Sequence, residues 1–203
     1  MIMKFTGRGQ LQQSGKRLYI RPWKAPDFKA WKDAEDSMLP PRNVFDFPSA
    51  RKKAARTRKE FGKVIRWNNK SIRAGEGCFC GIFLKKNGQQ VGTVGLIGIT
   101  RGSFQTAEIA YRVFSQFWGK GYGKEAVLAC LKLGFGKFKL HRIEAAIEPI
   151  NAASIKLAGS AGMKYEGLAR KKIFARKAWR DMLIYSALCT DLGYKPEPPY
   201  IKR

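Results

Sequence analysis

Gly119, Gly121 and Gly123 alternate with Lys120 and Tyr122, directly after Trp118. Glycine admits positive φ and lets a ligand approach the main chain. Where a helix begins just beyond such a turn, its free N–H groups and its dipole favour negative charge. The chemistry this suits is the holding of a pyrophosphate. A glycine turn by itself is weak evidence, because most are only loops. The sequence gives no comparable signal for metal chemistry. Cys78, Cys80, Cys130 and Cys189 include no Cys-x-x-Cys pair, and His141 is the only histidine. We expect buried reduced thiols and no metal site.

A phosphate turn needs a strand before it and a helix after it. Residues 105–113 read as that strand. Beyond the turn, Ala126, Val127, Cys130, Leu131, Phe135 and Phe138 recur at helical spacing, which marks a core-facing stripe. Strands are expected at 142–148, 163–168 and 182–189, with a helix over 152–161. Upstream, 17–22 reads as the first strand. Asp27 is expected to cap a helix carrying Phe28 and Trp31, which Pro40 and Pro41 must end. A long helix is predicted over 49–73, with Phe61, Val64, Ile65 and Ile72 on one face. Strands at 78–85 and 91–100 flank Asn87-Gly88, a hairpin signal. This order predicts one α/β (α+β) domain over 16–193, with a mixed sheet and helices on both faces. Residues 1–15 read as a loose terminus and 194–203, with three prolines, as an extended arm.

Lys and Arg number 40 against 15 Asp and Glu, a formal net charge of +25. Solubility does not require so much, so an anionic partner is implied: nucleic acid, ribosome or acidic surface. The bases cluster at 51–73 and again at Arg170, Lys171, Lys172, Arg176, Lys177 and Arg180. Apolar content of 44% fits an ordered globule. No apolar run is long enough for a bilayer or a signal peptide, so no membrane partner and a cytoplasmic location are expected.

Further along lie Asn151, Ser154, Gly162-Met163 and Trp179-Arg180-Asp181. With Arg17-to-Pro22, Thr100-to-Phe104, Trp118-to-Tyr122, His141-to-Glu144 and Pro149-Ile150, they form an ordered set over roughly residues 16–190. The set resembles the GNAT superfamily of acetyl-CoA-dependent N-acetyltransferases. Within it, the chain is similar to the ribosomal-protein-alanine N-acetyltransferases of the RimJ/RimL group, on the RimJ side. The resemblance implies a mostly antiparallel central sheet splayed in the middle, with acetyl-CoA as co-substrate. It implies that main-chain N–H groups of Trp118, Gly119, Lys120, Gly121, Tyr122 and Gly123 cradle the pyrophosphate. The backbone at Tyr111 and Val113 would pair with the pantetheine arm. Val113 N–H would polarise the thioester, Asn151 would bond the pantetheine, and Ser154 would protonate the departing thiolate. Trp118 is a departure, because the superfamily usually places Gln or Arg there.

Amine acetylation needs positioning, an oxyanion donor and a path for two protons. For the base, Glu108 ranks first, on the strand leading to the turn. Glu148 ranks second, sharing a strand face with Glu144. Each also fits the plainer role of ion-pairing with an abundant Lys or Arg. The resemblance implies the N-terminal α-amine of a ribosomal protein as acceptor, alanine of the fifth small-subunit protein, with the basic faces on rRNA. A small-molecule amine acetyltransferase and a ribosome-assembly or RNA-binding factor with weak catalysis are the alternatives. Both monomer and homodimer are open.

Overall fold

The computed structural model describes residues 11–46 and 53–198. Eight strands form one sheet: β1 (Gln13–Ser14), β2 (Leu18–Arg21), β3 (Cys78–Leu84), β4 (Gln90–Thr100), β5 (Thr106–Val113), β6 (Arg142–Ile147), β7 (Lys164–Ala175) and β8 (Ala178–Leu188). Their spatial order is β1-β2-β3-β4-β5-β6-β8-β7. Every neighbouring pair is antiparallel except β5–β6. Four α-helices are present among the described residues: α1 (Phe28–Asp36), α2 (Arg58–Ala74), α3 (Tyr122–Gly136) and α4 (Ala152–Ser160).

Alternation along β3 divides the interior in two. Cys78, Cys80, Ile82 and Leu84 join the larger core, with Val127, Cys130, Leu131 and Phe135 of α3. Phe79 and Phe83 join the smaller one, with Trp31 of α1 and Phe61 of α2. The predicted stripe on α3 is therefore the main core ridge, and the helices do cover both faces. All four cysteines are buried and free.

Four features differ from expectation for local reasons. Residues 13–14 lie within the expected loose terminus, yet they pair with Tyr19 and Ile20 as β1. The helix expected over 49–73 begins at Arg58, where the Thr57 hydroxyl accepts from Glu60 N–H at 3.3 Å; positions 49–52 lie outside the described residues. Asp27 does not cap α1. Its carboxylate accepts instead from Lys24 N–H and the Arg21 guanidinium, closing the 3-10 turn that precedes the helix. The last two strands are much longer than expected and form a hairpin turning at Arg176 and Lys177, both at positive φ.

Asn68 fastens α2 to the sheet. β2 ends opposite Gly81, so the outward N–H and C=O of Phe79 have no strand partner. Both are taken by the buried Asn68 amide, at 2.9 and 2.7 Å. Asn68→Ala should therefore cost about 2 kcal/mol, because two backbone groups lose their partner. Urea unfolding measures this; a loss below about 0.5 kcal/mol would mean that water replaces the amide without penalty.

Candidate active site

The parallel pairing of β5 and β6 covers only Thr106↔Arg142, Ala107↔Ile143 and Glu108↔Glu144. β5 continues to Val113 and β6 to Ile147 with no further pairing, so the sheet opens between them. Phe114 N–H donates to Val91 across the β4 side. By strand alternation, the N–H groups of Val113 and Tyr111 then face the opening. The splay expected from sequence is present, and it exposes the backbone of these two residues.

A cavity of about 590 Å³ fills this opening. Val113, Trp118, Gly121 and Gly123 form one wall, and Asn151, Ser154 and Leu157 of the α4 region form the other. The turn bends as its glycines require, with φ of +75° at Gly119 and +74° at Gly121, and α3 begins immediately afterwards. Among the described residues, no hydrogen bond to a protein acceptor uses the N–H groups from Gly119 to Lys124. Lys124 and Lys156 also line the cavity. Free N–H groups, a helix N-terminus and two ammonium groups together suit a diphosphate.

Tyr111, Val113, Trp118, Gly119, Gly121, Tyr122, Gly123, Asn151 and Ser154 are thus brought together at one cavity. Lys120 is not at the wall. Its carbonyl accepts from Arg17 Nη1 at 2.8 Å, and its ammonium lies over the Phe117 ring. Trp118 turns its indole N–H onto Val113 C=O at 2.7 Å, clamping the turn to the end of β5. Asn151 Oδ1 accepts from Ser154 N–H at 3.2 Å and caps α4. The Tyr111 hydroxyl donates to Ser154 C=O at 3.3 Å. Burial pushes this phenol up to about 12, so it keeps its proton at neutral pH.

Neither sequence-predicted carboxylate is among the cavity-lining residues. Glu108 pairs with Lys172 at 3.3 Å, and Glu148 pairs with Arg176. Glu148 stands near the wall all the same, because Arg176 stacks over Phe45, which lines the cavity. Asp46 is the carboxylate that does line it, 4% exposed and 3.7 Å from Arg112 Nη2. Sequence reading missed Asp46, Arg112, Lys124 and Lys156. Lys156 could have been found from the spacing Ala153, Lys156, Leu157, Ser160, one face of a helix beginning at the Asn151 cap.

The turn is held from below by Glu125. Its carboxylate accepts from Arg17 N–H at 2.5 Å, Leu18 N–H at 3.1 Å and Arg17 Nε at 3.0 Å. Burial opposes ionisation, but these donors outweigh it, and the carboxyl titrates below its ordinary 4.5. Its stabilisation is complete above the ordinary value and is lost as pH falls through the lowered one. Glu125→Gln should therefore be less stable than the native chain at pH 7, with a gap that closes on acidification below 4.5. Unfolding midpoints across a pH series test this; a gap independent of pH would refute the assignment.

Residues 17–164 match the Acetyltransferase (GNAT) domain family. The chain is 33% identical over 181 residues to the probable N-acetyltransferase YjcK of Bacillus subtilis (strain 168), covering 87% of this chain and 97% of that protein. It is 28% identical over 122 residues to the [ribosomal protein uS5]-alanine N-acetyltransferase of Escherichia coli (strain K12), covering 60% and 62%. Among solved structures, Mycobacterium smegmatis RimJ in complex with CoA-disulfide superimposes with a TM-score of 0.73 at 24% identity, covering 91% of this chain and 90% of that one. The Vibrio cholerae spermidine N-acetyltransferase in complex with CoA and spermine shares the fold at a TM-score of 0.64 and 18% identity, covering 86% and 97%. With the profile of the family spanning most of the sequence and a cavity at the parted strands, the chain belongs to the GNAT acetyltransferases and is an N-acetyltransferase.

Proposed function

We propose that this enzyme uses acetyl-CoA to acetylate the N-terminal α-amine of a ribosomal protein, with the alanine of the fifth small-subunit protein as acceptor. The observation that carries the cofactor half is the cavity, where unpaired turn N–H groups meet the exposed backbone of β5. The acceptor half is supported by the similarity to the uS5-alanine enzyme and by the basic surfaces. Exposed bases on α2 (Arg58, Lys59, Lys63, Arg66, Lys70, Arg73) and on the β7–β8 hairpin would hold rRNA in a salt-sensitive way.

Each group has a task that its position suits. The turn N–H groups, Lys124 and Lys156 hold the diphosphate. The Tyr111 and Val113 backbone and the Asn151 amide hold the pantetheine. Acetyl-CoA, when bound, supplies the acetyl group as a thioester. Val113 N–H donates to the carbonyl oxygen as it gains charge. The acceptor nitrogen forms its bond to the carbonyl carbon while the C–S bond breaks. Ser154, beside the Tyr111 hydroxyl, returns a proton to the thiolate. An α-amine has a pKa of about 7.7–8.0, so a fraction is already deprotonated at neutral pH. Proton transfer to Glu108 or Glu148 would run through water, because neither lines the cavity.

Two measurements test the reading. Calorimetry should detect acetyl-CoA binding to the native chain and none to Gly121→Glu, which puts bulk and charge at a wall residue already at positive φ. Mass spectrometry should then find a gain of one acetyl group on an alanine-initiated peptide from the acceptor's N-terminus. Binding unaffected by Gly121→Glu would move the diphosphate elsewhere. Acetyl gain on spermidine and on no peptide would replace the acceptor class.

A further inference from the structure

The cavity carries a charge pattern that the cofactor does not use. Among the described residues, its lining holds one acid, Asp46, against three bases, Arg112, Lys124 and Lys156. The two lysines lie on α3 and α4 near the phosphate turn. Asp46 and Arg112 form a separate pair. Arg112 stands on β5 between Tyr111 and Val113, so its side chain leaves by the opposite face of the sheet. There it packs over the Phe114 ring at 5.5 Å.

The pair is incompletely satisfied. Among the described residues, the buried Nε and Nη2 of Arg112 have no hydrogen-bond partner, and the contact to Asp46 at 3.7 Å is too long for one. Burial also pulls the Arg112 guanidinium below its ordinary value, although Asp46 and Glu35 oppose this. Unpaired buried donors on a cation are costly unless a ligand takes them. Asp46 keeps one backbone bond, from Arg42 N–H to Oδ2 at 3.2 Å, while Oδ1 faces Arg112.

We infer that Asp46 and Arg112 read the acceptor's first residue: Asp46 receives the α-ammonium and Arg112 donates to the carbonyl oxygen that follows it. This rests on the N-terminal α-amine reading above and adds the groups that select it. Ammonium and carbonyl oxygen are separated by only Cα and the carbonyl carbon, so one residue can bridge the two side chains. A polyamine offers ammonium groups alone. It would leave the guanidinium donors unmet and place further positive charge beside three cations and one anion. A site built around hydrogen-bond donors discriminates strongly against a ligand that lacks the acceptor. The protein's net charge of +25 acts in the same direction.

The test compares an alanine-initiated peptide with the same peptide carrying sulfur in place of its first carbonyl oxygen. Sulfur is a weak acceptor and adds no charge. The native enzyme should lose on the order of tenfold in kcat/KM on this replacement, as expected for a charge-assisted hydrogen bond. In Arg112→Met the all-oxygen peptide should itself lose on the order of tenfold, and the oxygen-to-sulfur difference should shrink below about twofold. If Arg112→Met does not fold, the native comparison still decides: equal kcat/KM for the two peptides refutes the Arg112 contact. Peptide turnover with the same sulfur effect in native and variant enzymes sinks the Arg112 assignment and leaves the α-amine reading intact. Acetyl-CoA binding with no peptide turnover at all overturns both.

Discussion

Everything at the site depends on the early parting of β5 from β6. Three residue pairs join them, and then two strands that begin side by side are left with unpaired inner edges. An unpaired strand edge inside a protein is costly, because each N–H and C=O lacks a partner. Here the separation is enforced by what lies on either side. Leu157 of α4 lies against Gly123 at the start of α3, so the two helices close on each other beside the opening. β6 meanwhile is fully paired with β8 through Ile147 and cannot swing back. The opening is therefore a fixed property of the sheet, and the backbone it exposes is available to an extended ligand.

Two sources of rigidity meet at this opening. The larger core, with α3 packed against the inner faces of the central strands, fixes the helix whose first residues line the cavity. The smaller aromatic core, Trp23, Trp31, Phe61 and Phe83, fixes the opposite face, from which Asp46 and Arg112 approach. Gln90 ties the smaller core to the sheet: buried on β4, it accepts from the Trp23 indole at 3.0 Å and donates to Gly92 C=O at 3.2 Å. The glycine turn and the Asp46–Arg112 pair thus rest on different cores, on either side of β5. Alternation along that one strand sends Tyr111 and Val113 to one side and Arg112 to the other.

The sequence made some of this readable and hid the rest for physical reasons. The glycine turn, the α3 stripe and the β3–β4 hairpin were legible because each is local: positive φ needs glycine, helical burial has a period, and Asn87-Gly88 marks a tight turn. The splay, and with it the exposure of the Tyr111 and Val113 backbone, came only through resemblance, since main-chain exposure leaves no residue signature. The long β7–β8 hairpin was hidden because a register shift between Ala169 and Ile173 interrupts the alternation, and its tip uses Arg176 and Lys177 rather than glycine. Asp46 was invisible because it lies in an aperiodic segment and becomes a wall residue only through tertiary folding. Arg112 read as one more base among 40. Glu108 stands on the strand leading to the turn and Glu148 close in sequence to Asn151, and neither position reveals that Lys172 and Arg176 hold them.

The Arg17–Glu125 contact has a further consequence. One arginine gives its backbone N–H and its Nε to the first turn of α3, and its Nη1 to the carbonyl of the phosphate turn. β2, on the far side of the sheet from the parted strands, is in this way tied to the turn. Occupation of the turn by an anion restrains the same carboxylate that caps the Arg17 and Leu18 amides. Their exchange with solvent deuterium should slow when the cofactor binds, although neither residue belongs to the cavity wall.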